Sequence, residues 1–121
     1  MEWSFKNGIP IYSQIIDEMT MRIASSAYAP GEKLPSVRDL ALDAGVNPNT
    51  MQRALAELER RGLVYSERTS GRFVTKDEFV LSGLHEELAA RYFDELTGKL
   101  RKIGMDDDQI KAAVKKWMAA L

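Results

Sequence analysis

The sequence predicts a mainly helical chain carrying one small β-hairpin, and three observations lead there. Apolar residues recur at helical three-to-four spacing through most of the 121 residues. Two short helical stretches, 36–44 and 47–61, are joined by a tight turn holding Gly45. Two β-prone runs, LVYSE and RFVT, are separated only by Arg68-Thr-Ser-Gly71.

Composition narrows the class. An apolar fraction of 45% with 29% charged residues is that of a folded globular chain. No apolar run approaches the roughly 18 residues needed to span a bilayer, and MEWSFKNGIP lacks a signal peptide's apolar centre, so no membrane partner is expected. With no cysteine present, disulfides, thiolate catalysis and cysteine-based zinc sites are excluded, and the cytoplasm is the expected compartment. The formal net charge of −1 hides an uneven distribution. Residues 33–76 hold eight Lys/Arg against five acids, whereas 77–121 hold seven against nine. A mildly basic segment is followed by an acidic one, which suggests two parts with different jobs.

The elements follow in order. Residues 10–26 place Ile11, Ile15, Met19 and Ile23, with Tyr12 and Ile16, on one side of a helix started by Pro10. Tyr28-Ala-Pro-Gly31 stops it, and Lys33-Leu34-Pro35 is long enough only for a bridge or a single strand pair. Ser36-Val-Arg-Asp39 has the capping-box form with Asp39 in the usual Glu position, and it starts a helix that buries Val37, Leu40 and Ala41 before Gly45. Asn47 caps the next helix, with Pro48 at its first position and Gly62 past its end. The hairpin follows, giving a winged helix-turn-helix over residues 1–76. From Asp77 a long helix reaches about Ile103, and Asp106 with Gln109 starts a last helix carrying Ile110, Val114, Trp117, Met118 and Leu121 on one side.

The helix over 48–61 has two faces. At about 100° per residue, Met51, Ala54, Leu55 and Leu58 converge on the buried side, while Asn49, Arg53, Ala56 and Arg60 converge on the other, flanked by Gln52 and Glu57. Asn and Gln pair twice with adenine in the major groove and Arg with guanine, and a small alanine lets the backbone approach closely. The helix start, fixed by Pro48, attracts phosphate. Arg38, near the start of the preceding helix, reaches for the backbone. At the hairpin tip, Ser70, Gly71 and Arg72 offer a hydroxyl, a flexible turn and a charge suited to phosphate or the minor groove.

Other readings are weaker. His85 is the single histidine, no glycine-rich phosphate loop follows a strand, and no carboxylate cluster has metal-ligand spacing, so neither catalytic nor metal residues nor a cofactor is expected. Asp106-Asp107-Asp108 lies in a helix's first turn, where acids offset the dipole. A winged helix serving protein–protein contact, the alternative function, would carry apolar anchors on its outward face, where this sequence has Asn, Gln, Arg and Ala.

PGEKLPSVRDLALDAGVNPNTMQRALAELERRGLV, followed by SGRFV, resembles the N-terminal DNA-binding domain of the GntR family of bacterial transcription regulators. With its short C-terminal part, the chain is similar to the YtrA subfamily. The resemblance implies that Ser36, Arg38, Asn47, Asn49, Thr50, Gln52, Arg53 and the tip around Gly71 hold the DNA-contacting positions. It further implies a repressor whose partner is an operator in double-stranded DNA, and whose C-terminal helices serve dimerisation. Two departures stand out. Many relatives carry Arg where Pro48 stands, and the usual Gly-x-Gly-Thr of the wing is replaced by Thr69-Ser70-Gly71-Arg72.

The 77–121 segment carries a stripe of Leu81, Leu84, Leu88, Tyr92 and Leu96, with Trp117 on the last helix. So short a segment does not easily bury all of these alone. These residues are the expected interface of a two-fold homodimer, which would set two reading helices (48–61) and two wings (66–75) on a pseudo-palindromic operator. A small-molecule effector, if the protein binds one, would sit at an interface.

Overall fold

The structure, a computed structural model describing residues 2–121, runs α1 (Ile11–Ala24), α2 (Val37–Ala44), α3 (Pro48–Arg60), β1 (Val64–Glu67), β2 (Gly71–Val74), α4 (Glu78–Lys102) and α5 (Asp107–Met118). The chain divides into two compact units, one ending at Leu84 and the other running from His85 to Leu121. The boundary falls inside α4.

The first unit is organised by α3, which packs against α1, α2 and β1. Ile15, Met19 and Ile23 of α1, Leu40 of α2, Met51, Leu55 and Leu58 of α3, and Val64 and Val74 of the hairpin are fully buried together. Each such side chain contributes about 1.5–3 kcal/mol, so the expected inner face of α3 forms the centre of the core. Ile11, expected on the α1 stripe, is exposed instead, and Tyr12 is half-buried. The first turn of α1 lies beyond the edge of that core.

Local chemistry sets the boundaries. Ser36 accepts the Asp39 N–H at 3.0 Å to start α2. Gly45 ends it in a left-handed conformation (φ 70°), from which the Val46 N–H donates back to the Ala41 carbonyl at 3.0 Å. Asn47 accepts the Asn49 N–H at 2.7 Å, and Pro48 occupies the first helical position of α3. The turn between α2 and α3 is thereby fixed from both ends.

β1 and β2 pair antiparallel, with Val64 opposite Val74, Tyr65 opposite Phe73, Ser66 opposite Arg72 and Glu67 opposite Gly71. On its other side β2 pairs with the segment before α2. Lys33 bridges Phe73, Leu34 donates to the Arg72 carbonyl at 2.9 Å, and Val74 donates to the Glu32 carbonyl at 2.9 Å. The inner strand of the wing is therefore held on both edges, which limits how far the hairpin can swing.

The N-terminal arm is structured. Gln14 clamps it by accepting the Lys6 N–H and donating to the Lys6 and Ile9 carbonyls. Arg22 is buried beneath it. Its guanidinium pairs with Glu18 at 2.7 Å, donates to the Tyr28 hydroxyl at 3.2 Å and lies 4.2 Å from the centre of the Trp3 ring. Trp3 in turn donates to Asp43 of α2 at 3.2 Å.

In the second unit, Asp106 and Gln109 form the full reciprocal capping box that starts α5, and Asp107 pairs with Arg101 at 3.2 Å. Leu88, Thr97 and Ile110 are buried within the single chain, whereas Tyr92, Phe93, Leu96, Ile103, Trp117 and Met118 remain exposed. Among the described residues, no helix is long and apolar enough to cross a membrane.

Candidate nucleic-acid interface

Because Met51, Ala54, Leu55 and Leu58 point inward, helical geometry forces Asn49, Gln52, Arg53 and Ala56 outward, and all four are exposed. Thr50 is half-buried beside them. Asn47 has spent its side-chain oxygen on the cap, which fixes the helix start, while Asn49, two residues on, is exposed. Arg53 is not a loose cation. Its guanidinium carbon lies 5.0 Å from the centre of the Tyr12 ring on α1, a cation–π contact that restricts where the fork can point.

The far end of α3 is electrostatically closed. Glu57 accepts both Arg60 Nε and Nη2, at 2.7 and 2.6 Å, and Arg61 Nε at 2.8 Å. The Arg60 and then the Arg61 hydrogen bonds hold the Glu57 carboxyl at about 2, below its usual 4.5. One carboxylate thus engages both Arg60 and the C-cap Arg61 at this end, while Arg53 is the guanidinium on the outward face near the helix start.

The wing meets the same face. Ser70, Gly71 and Arg68 are exposed at the tip, but Arg72 folds back against α3. Its Nη1 donates to Gln52 Oε1 at 3.2 Å and its Nε to Glu59 Oε1 at 3.4 Å. Ser66, directly across the hairpin, donates to that same Glu59 oxygen at 2.6 Å. Gly71 sits at φ 115°, where a side chain would be strained, and a Cβ there would lie 3.2 Å from the Lys33 side chain.

Between the start of α2 and the wing lies a cleft of about 560 Å³ lined by Lys33, Ser36, Asp39, Ser70, Gly71 and Arg72, together with Leu34, Pro35 and Val37. It brings together the Lys33 ammonium, the N-terminal N–H groups of α2 and the tip hydroxyl, a set suited to a phosphate oxygen. Arg38 stands exposed on the first turn of α2 beside it.

The expected residues therefore fall into three groups on one unit: Asn47, Asn49, Thr50, Gln52 and Arg53 on α3, Ser36 and Arg38 at α2, and Ser70, Gly71 and Arg72 on the wing. Tyr12, Lys33 and Glu59 belong beside them, although the sequence alone did not single them out. The Glu57 pairings are foreshadowed by i, i+3 and i, i+4 spacing. Tyr12 and Lys33 come from distant segments and carry no such local signal.

Residues 11–74 match the family described as "Bacterial regulatory proteins, gntR family". The chain is 32% identical over 115 residues to the HTH-type transcriptional regulator YhcF of Bacillus subtilis, covering 95% of each. It is 40% identical over 72 residues to the HTH-type transcriptional repressor YtrA of the same organism, covering 60% of this chain and 55% of that one. Among solved structures, a GntR family transcriptional regulator from Listeria monocytogenes superposes with a TM-score of 0.83 at 37% identity, covering 93% of this chain and 98% of the other. The DNA-binding domain of AraR, solved in complex with operator ORX1, covers 62% of this chain and 96% of that one, with a TM-score of 0.57 and 29% identity.

Proposed function

The chain belongs to the GntR family of bacterial regulatory proteins and is a DNA-binding transcriptional regulator, not an enzyme; from that premise we propose that it acts in the cytoplasm, on the nucleoid, as a homodimeric repressor of a pseudo-palindromic operator. In this reading α3 lies in the major groove and the wing lies along the flanking backbone. The observation that carries it is the outward face of α3, where Asn49, Gln52 and Arg53 stand exposed around Ala56 with no apolar anchor among them. Amide and guanidinium groups suit base edges, whereas protein partners are gripped through buried aromatic and aliphatic residues.

The division of labour follows from the chemistry. Asn47 and Pro48 direct the start of α3, Ser36, Arg38 and Lys33 hold phosphate, and Ser70 and Gly71 approach the backbone at the wing. Pro48 contributes no reading side chain, so base discrimination falls to Asn49, Thr50, Gln52 and Arg53. Repression is supported by likeness to a relative that is a repressor. Dimerisation is supported by Tyr92, Leu96 and Trp117, which stay exposed on the C-terminal unit, and by the need of a two-fold operator for two reading helices about one duplex turn apart.

Selection of bound sequences from random duplex DNA tests the reading. The expected product is two inverted half-sites, with Asn49→Ala and Arg53→Ala each relaxing the preference at separate positions. Affinity and sequence preference unchanged by both substitutions would refute α3 as the reading helix.

A further inference from the structure

Arg72 lies twenty positions from Gln52 in sequence, yet its Nη1 donates to Gln52 Oε1 at 3.2 Å. A guanidinium carries donors only, so the amide must turn its oxygen, rather than its nitrogen, toward Arg72. The opposite edge of the guanidinium is fixed as well. Nε donates to Glu59 Oε1 at 3.4 Å, and Ser66, the cross-strand neighbour of Arg72, donates to the same oxygen at 2.6 Å. The Arg72 side chain is only 19% exposed. Three elements, α3, β1 and β2, thus hold one guanidinium beside an exposed amide.

The consequence lies in what that amide shows to the groove. A free glutamine offers one acceptor and one donor, the pair that matches N6–H and N7 of adenine. With Oε1 turned inward to Arg72, the outward group is the Nε2 amine, which has donors alone. Donors match O6 and N7 of guanine. Resting on the reading of α3 as the major-groove helix, the geometry points to Arg72 as a positioning residue that sets Gln52 to read guanine instead of adenine. The wing arginine thereby determines specificity through a neighbour, and the arginine standing at the threonine position of the usual Gly-x-Gly-Thr wing has a role in base choice.

Selection from random duplex DNA with the intact chain and with Gln52→Ala identifies the position Gln52 reads, as the one whose preference the substitution erases. Guanine is expected there, favoured over adenine by roughly tenfold. In Arg72→Met that ratio is expected to fall to within about threefold while preferences elsewhere in the site hold, and Arg72→Lys, which keeps a donor, is expected to recover it. Adenine at that position for the unaltered chain overturns the inference even if Arg72→Met fails to fold. So does an Arg72→Met protein that binds all sequences more weakly by one common factor, because Arg72 then serves phosphate alone. Both results leave the α3 reading intact. That reading falls, and this inference with it, if Gln52→Ala, Asn49→Ala and Arg53→Ala all leave the selected sequence unchanged.

Discussion

The Arg53 guanidinium carbon rests 5.0 Å from the centre of the Tyr12 ring, so a residue on the first turn of α1 restrains an exposed arginine on the outward face of α3. Tyr12 is half-buried and lies off the apolar core. Its ring can therefore be altered without opening a cavity, and the contact separates orientation from chemistry.

Tyr12→Leu is expected to weaken operator binding by about two- to fivefold, the equivalent of a cation–π contact worth about 0.5–1 kcal/mol. Tyr12→Phe keeps the ring and is expected to bind as the unaltered chain does. Arg53→Ala should cost more, about 1–3 kcal/mol, with preference lost at one position of each half-site. Fluorescence anisotropy on a labelled operator measures all three. Equal affinities for Tyr12→Leu and Tyr12→Phe would show that the ring does not position Arg53.

Glu57 supplies a pH test. Its carboxyl is held at about 2, below the usual 4.5, first by the Arg60 hydrogen bond and then by that of Arg61. A depressed carboxylate contributes stability that is fully present above its unfolded-state value and is lost as pH falls through the folded one. The Glu57 contribution should therefore hold at neutral pH and disappear between about 4.5 and about 2. Titration of the Glu57 carboxyl carbon by NMR should give a low midpoint that moves upward in Arg60→Ala. A midpoint near 4.5 in the unaltered chain would contradict the paired geometry.

Asn47 and Pro48 set the start of α3. Asn47→Ala removes the acceptor that holds the Asn49 N–H at 2.7 Å and is expected to cost about 1 kcal/mol of stability, a drop of roughly 4 °C in melting temperature for a unit of this size. Asn47→Asp keeps an acceptor and should melt close to the unaltered chain. Calorimetry distinguishes the two, and DNA affinity should fall in Asn47→Ala with base preferences preserved.

Leu88 and Leu96 lie two turns apart on α4 but differ in surroundings: Leu88 is buried in the single chain, whereas Leu96 is 40% exposed. Leu88→Asp is expected to destabilise the C-terminal unit itself, by about 2–5 kcal/mol. Leu96→Asp should leave helix content intact and yield a monomer that binds the operator weakly. Sedimentation of the unaltered chain as a monomer at micromolar concentration would contradict the homodimer.

The sequence made the local chemistry of the site plain. Ser36, Gly45, Asn47 and Pro48 each act within a few residues of themselves, so their pattern predicts the turn between α2 and α3 and the direction of α3. The inner face of α3 was equally legible, since Met51, Ala54, Leu55 and Leu58 follow one periodicity. What escaped was contact at distance. Tyr12 reads as one more member of an apolar stripe until folding leaves it at the rim beside Arg53. Arg72 reads as a charge at the tip, yet Glu59 and Gln52 draw it back onto α3. Arg22, in the last turn of α1, is buried, and Glu18, Tyr28 and Trp3 together offset the cost of burying it. Apart from Arg22 with Glu18, which lie at i, i+4 spacing, none of these pairings has a sequence spacing that announces it.

The arm that carries Trp3 across Arg22 gives the protein a built-in optical reporter. The chain has two tryptophans: Trp3 is half-buried, stacked on Phe5 and bonded to Asp43 in the N-terminal unit, while Trp117 is exposed on α5 of the other. With Trp117→Phe the remaining tryptophan fluorescence follows the N-terminal unit, and with Trp3→Phe the C-terminal one, so the melting of each can be recorded without any added label.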